Sequence, residues 1–78
     1  MRTTLYVGGF AVDTPTAELR DLFDRYGEVE EVRMIRRASK DGRGFAYVTF
    51  ASHAAAEAAL VLDGRELGGL ALRVDFAR

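Results

Sequence analysis

The segment Arg43–Phe50, RGFAYVTF, alternates with a period of two, yet both of its sides are apolar. Phe45 and Tyr47 share one side of the strand it predicts, while Ala46, Val48 and Phe50 share the other. Only one of these sides can be the core, so the second needs a different purpose. Leu5–Phe10, LYVGGF, repeats the problem in a shorter run: Leu5 and Val7 flank Tyr6 before Gly8-Gly9 weakens the strand toward a turn.

Helical spacing takes over between these two segments. Thr14 before Pro15 suits an N-cap and a first helical position, where proline gives up an amide that has no intrahelical acceptor anyway. Leu19, Leu22, Phe23 and Tyr26 then form one apolar stripe, Gly27 offers the left-handed residue that ends the helix, and Val29 packs its exit. Val32 and Met34 alternate with Arg33 and Ile35 in a second strand, and Ser39, Asp41 and Gly42 favour a turn before Arg43. Beyond the aromatic strand, Ser52 caps a short second helix with Ala56, Ala59 and Leu60 as its buried stripe. Asp63-Gly64 and Gly68-Gly69 punctuate a loop, and Leu72, Val74 and Phe76 alternate with Arg73 and Asp75 in a last strand.

The resulting order, βαββαβ, predicts an α+β fold of the ferredoxin-like, split βαβ type. Right-handed crossovers put both helices on one face of a four-stranded antiparallel sheet, with the first and third strands as central neighbours. Residues 1–78 are expected to make one such domain, since the chain is too short for two cores. With Leu5, Val7, Ala46, Val48 and Phe50 in the core, Tyr6, Phe45 and Tyr47 are left together on the uncovered face. The opposite register would bury Gly8 and Thr49 in place of larger apolar groups.

An exposed aromatic platform of this kind marks a binding surface. Nucleobases offer π-faces to such rings, with stacking worth roughly 1–3 kcal/mol per base. The net charge of −1 argues against an indiscriminately basic protein, but the charges are segregated. Asp13 to Glu31 holds seven acids against Arg20 and Arg25, whereas Val32 to Arg43 holds Arg33, Arg36, Arg37, Lys40 and Arg43 against Asp41 alone. Arg43, at the start of the aromatic strand, is therefore a candidate phosphate contact, and Arg36, Arg37 and Lys40 extend the positive path. Arg33, Ile35, Arg73 and Asp75 project from flanking strands to the same face, where they would tune which bases fit.

These two motifs closely resemble those of the RNA recognition motif family. LYVGGF is similar to that family's hexamer and RGFAYVTF to its octamer, and the likeness covers nearly the whole chain. The resemblance implies a sheet face that binds single-stranded RNA, with Tyr6 and Phe45 stacking on bases, Tyr47 contacting sugars and Arg43 meeting a phosphate. Gly9 stands where the family often has Asn, Tyr47 where Phe is commoner, and Leu70 where Arg is frequent before the last strand. Single-stranded DNA is a second candidate ligand because stacking does not require a 2′-hydroxyl. The outer helix faces remain for contacts with protein or additional domains, and tandem domains would raise a modest affinity.

A second reading comes from peptide-binding relatives of this fold, which pair an acidic first helix with an Arg-x-Phe loop to capture a tryptophan-bearing peptide. Asp21 and Asp24, with Glu18, supply the acids, and Arg65-Glu66-Leu67 resembles the loop with Leu67 in place of its aromatic. Catalysis finds no comparable set: no nucleophile, base and orienting acid share a local pattern. No cofactor or metal is expected, because the chain has no cysteine and a single histidine, His53, which reads as an exposed or capping residue. No apolar run approaches the roughly 18 residues of a membrane span, so an intracellular protein is expected, in nucleus or cytoplasm alike.

Overall fold

The periodicities translate into three-dimensional elements with shifted boundaries. In the computed structural model, residues 1–37 and 40–78 are described, so the turn expected at Ser39 lies outside the described residues. Strand β1 spans Thr4–Ala11, helix α1 Thr16–Asp24, β2 Val29–Ile35, β3 Arg43–Phe50 and helix α2 His53–Ala59. A 3-10 turn at Leu60–Leu62, a short hairpin of β4 (Glu66–Leu67) and β5 (Leu70–Ala71), and β6 (Arg73–Phe76) complete the chain. The large sheet is antiparallel in the order β2-β3-β1-β6. Strands β1 and β3 are thus central neighbours, as the split βαβ topology requires.

One face of the sheet is buried against both helices. Leu5, Val7 and Phe10 of β1 meet Ala46, Val48 and Phe50 of β3, under Leu19, Leu22 and Phe23 of α1 and Ala55, Ala56 and Ala59 of α2. Burial of this set supplies the main driving force, at roughly 25 cal/mol per Å² of apolar surface removed from water. Phe23 and Phe50 pack at a ring-centroid distance of 6.3 Å. The small alanines bring α2 close to the sheet, and Leu62, in the 3-10 turn, contributes the large buried side chain expected from Leu60, which stays half-buried.

Several local expectations are corrected. Strand β1 does not fade at Gly8-Gly9 but continues through a bulge, where Gly9 adopts φ +86° and the register to β3 shifts between Gly8 and Phe10. The extra residue rotates Phe10 to the core side. Pro15, not Thr14, occupies the N-cap of α1; its ψ of 140° is extended, and its carbonyl accepts from the Glu18 amide at 3.1 Å. Thr14 is buried beneath that entry, its amide donating to Ala11 O at 2.9 Å. Gly27 closes the helix exit with φ +152°, outside the left-handed helical well, and a Cβ there would run into Ala55 of α2. Ser52 does cap α2, accepting from the Ala55 amide at 3.1 Å. The loop between Asp63 and Leu72 is the β4–β5 hairpin, turned by Gly68 and Gly69.

Candidate functional site

Strand register alone assembles the three outward rings. Tyr6 lies directly opposite Tyr47, and Phe45 lies opposite Gly8, one alternation further along the same face. The ring centroids are 5.7 Å apart for Tyr6 and Phe45, 5.9 Å for Phe45 and Tyr47, and 6.3 Å for Tyr6 and Tyr47. Phe45–Tyr47 is edge-on at 89° and Tyr6–Tyr47 edge-on at 68°. Such pairs add about 0.5–1.5 kcal/mol beyond area burial, enough to hold a platform whose outer faces stay accessible. All three side chains are half-buried, and among the described residues no second layer lies above them.

Gly8 makes this arrangement possible, a role at the site that strand periodicity does not reveal. The Tyr6 phenol folds over Gly8: a Cβ built there would sit 2.8 Å from Tyr6 Cζ and 3.1 Å from Cε1, and would also run into the hydroxyl. A glycine two residues after an outward aromatic, on the same face, is the signal that could have marked it. Gly9 has a separate task. Its positive φ builds the bulge, and its Cα faces Ala71, whose carbonyl oxygen would lie 2.5 Å from any added Cβ.

Around the rings stand the residues expected to tune the face. Arg33 is opposite Tyr47, with its guanidinium carbon 5.9 Å from the ring centroid, and Ile35 is opposite Phe45. On the other flank Arg73 is opposite Gly8 and Asp75 opposite Tyr6. Between Tyr6, Tyr47, Arg73, Asp75 and the terminal residues Phe76 to Arg78 runs a groove of about 290 Å³. Asp75 Oδ1 accepts from the Phe76 amide at 2.7 Å.

The basic candidates divide into two kinds. Arg43 shares the face of Phe45, and its Nε lies 3.9 Å from Asp41 Oδ2 while its amide donates to Asp41 Oδ1 at 3.1 Å. Arg37 and Lys40 are exposed. Arg36 instead turns its guanidinium onto the loop after β1, donating to Val12 O and Thr14 O at 2.9 Å each and to Thr16 Oγ1 at 3.2 Å. A further bond between Val12 N and Gly42 O at 2.8 Å joins the same two loops. Arg36 therefore tethers the β2–β3 connection to the β1–α1 loop, a role its place in a basic run did not suggest.

The residues of the peptide-binding alternative are placed on α1 and at the β4–β5 hairpin. Asp21 and Asp24 are exposed on α1, and Asp24 lies 4.0 Å from Arg20 Nε. Arg65 is exposed, but its backbone is held at both ends, its amide donating to Leu62 O and its carbonyl accepting from Leu72 N. Leu67 packs against the core as part of β4 and is not presented outward on a loop. His53 is half-buried: Nδ1 lies 2.6 Å from Arg2 O, and the ring stacks on Phe76 at 5.4 Å, with the Arg2 guanidinium carbon 4.4 Å from the Phe76 centroid. It clasps the first residues to the last strand. Among the described residues no cluster of His, Cys, Asp or Glu could hold a metal, and no helix is long and apolar enough to cross a membrane.

Comparison with known proteins agrees with this fold. The family profile described as RNA recognition motif matches residues 5–73. The chain is 42% identical over 74 residues to Glycine-rich RNA-binding protein 5, mitochondrial, of Arabidopsis thaliana, covering 94% of this chain and 26% of that protein. It spans no more than half the length of the curated relatives it matches first. Among solved structures, the Mip6 RRM3 domain superposes with a TM-score of 0.89 at 19% identity, over 97% of this chain and 93% of that one. The Rna15 RRM with bound RNA (GU) superposes with a TM-score of 0.80 at 23% identity, over 95% and 81%. At those identities the structural likeness concerns the fold.

Proposed function

The chain belongs to the RNA recognition motif family, and from that premise we propose that it binds a short single-stranded RNA segment across the open face of its sheet. The observation that carries this reading is the cluster of Tyr6, Phe45 and Tyr47, whose ring centroids lie within 5.7–6.3 Å of one another on the uncovered side. Tyr6 and Phe45 offer flat faces to successive bases, Tyr47 stands edge-on to both strands' rings and meets the sugars between them, and Arg43 with Arg37 and Lys40 draws in the phosphates. Arg36 contributes charge from a fixed position. In this reading residues 1–78 act as one binding module with no chemical step, and the relatives named as RNA-binding proteins support the partner class.

Titration of labelled single-stranded RNA tests the proposal. Tyr6→Ala and Phe45→Ala should each weaken binding by roughly 1–3 kcal/mol, the usual value of one stacked base, with the far-ultraviolet circular dichroism unchanged. Folded variants that bind as tightly as the parent would defeat the stacking account. A matched DNA strand reports the contribution of the 2′-hydroxyl. No specific observation favours peptide capture, since Leu67 is packed against the core.

A further inference from the structure

The groove beside Tyr6 holds a carboxylate on a surface otherwise suited to polyanions. Building on the RNA-binding reading above, we infer that Asp75 makes this groove selective for guanine. Asp75 lies directly opposite Tyr6 in the β1–β6 register, so a base stacked on Tyr6 turns an edge toward it. The bond from the Phe76 amide to Oδ1, at 2.7 Å, fixes the carboxylate against its own strand. Among the described residues no ion pair neutralises it. Each carboxylate oxygen has two acceptor positions, so the Phe76 bond leaves most of its capacity unused. Left alone, this group would repel an incoming phosphate; it favours binding only when a base supplies donors.

Arg73 and Arg78 line the same groove. The lining therefore presents an acceptor flanked by donors. Guanine carries the complementary pattern: N1–H and the 2-amino group are adjacent donors that a carboxylate accepts together, while O6 and N7 accept from a guanidinium. Adenine puts an unprotonated ring nitrogen where guanine has N1–H, directly against the carboxylate. Uracil offers one N–H between two carbonyls, and cytosine one amino group beside an acceptor nitrogen. Guanine alone satisfies two donors toward Asp75 and two acceptors toward the arginines.

Uridine heptamers carrying one central guanosine, inosine, adenosine or cytidine are titrated by fluorescence anisotropy against the protein and its Asp75→Asn variant. Asparagine retains an acceptor for the Phe76 amide but replaces one oxygen with a donor. The expected result is guanosine over adenosine by about tenfold, as for a bidentate base contact, with inosine between them because it lacks the 2-amino group. In Asp75→Asn the gap should close to about twofold or less. Equal binding of guanosine, inosine and adenosine overturns the inference and leaves RNA binding intact, as does a guanosine preference that survives in a folded Asp75→Asn. Failure of every heptamer to bind removes the inference together with the reading it rests on.

Discussion

Replacing Gly8 with alanine should weaken RNA binding without replacing any ring, charge or core side chain. The added Cβ would fall 2.8 Å from Tyr6 Cζ and 3.1 Å from Cε1, well inside contact distance, and would strike the hydroxyl as well. Tyr6 is half-buried at the surface, so its ring has room to swing away. Leaving a preferred rotamer costs about 0.5–1.5 kcal/mol. Gly8 is not among the positive-φ glycines, so the substitution recovers about 0.4–1 kcal/mol by restricting the unfolded chain. Stability should therefore change by less than about 1 kcal/mol. The displaced ring no longer lies 5.7 Å from Phe45 in a 31° tilt, and the stacking it provides, roughly 1–3 kcal/mol, is partly or wholly lost. Thermal melts and anisotropy titrations of Gly8→Ala, Tyr6→Ala and the double variant measure both quantities. The double variant should bind like Tyr6→Ala alone, because the alanine acts only through the ring. An additive loss in the double variant, or unaltered affinity in folded Gly8→Ala, would refute the reasoning.

Other positions yield distinct outcomes. Gly9→Ala combines a φ of +86° with a Cβ 2.5 Å from the Ala71 carbonyl oxygen, and chemical denaturation should show a loss of about 1–3 kcal/mol; an unchanged midpoint would mean the bulge relaxes freely. Arg36→Ala removes two hydrogen bonds into the β1–α1 loop and one to Thr16 at the start of α1 and should lower stability by about 1–2 kcal/mol, and Arg36→Lys should recover little of this because it lacks the planar fork. If Arg36→Lys were as stable as the parent, the tether would be a matter of charge alone. Binding should weaken with salt at a log–log slope of about −0.7 per phosphate met, and Arg43→Ala should make that slope shallower by one such step, read by titration over a range of salt concentrations. A slope unmoved by that substitution would place Arg43 outside the phosphate path.

Period-two and period-3.6 patterns identified the strands and helices because each depends on neighbours a few residues away. The two-sided apolar character of β3 pointed to the face proposed to bind RNA for the same reason: Phe45 and Tyr47 alternate with Ala46 and Val48, whose burial is complete. The end of β1 was harder to read. Whether Gly8-Gly9 ends a strand or bulges it depends on Ala71 and Gly44, which approach from distant segments. The β4–β5 hairpin reads as a loop in the sequence because two-residue strands carry too little alternation to register.

By itself the sequence determined the order of the two helices and the four strands of the large sheet, the core side of each central strand and the three rings that must face outward. Helix and strand periodicity, together with the small number of topologies open to βαββαβ, suffice for that. Tertiary structure decided what those rings rest on and what surrounds them. It seated Tyr6 over Gly8, turned Arg36 inward onto Val12, Thr14 and Thr16, drew His53 onto Phe76 and Arg2, and set Asp75 across from Tyr6. Except for Gly8, these partners lie 20 or more residues apart in sequence. Such contacts follow from the relative placement of strands and loops, which a local pattern of polar and apolar positions does not encode.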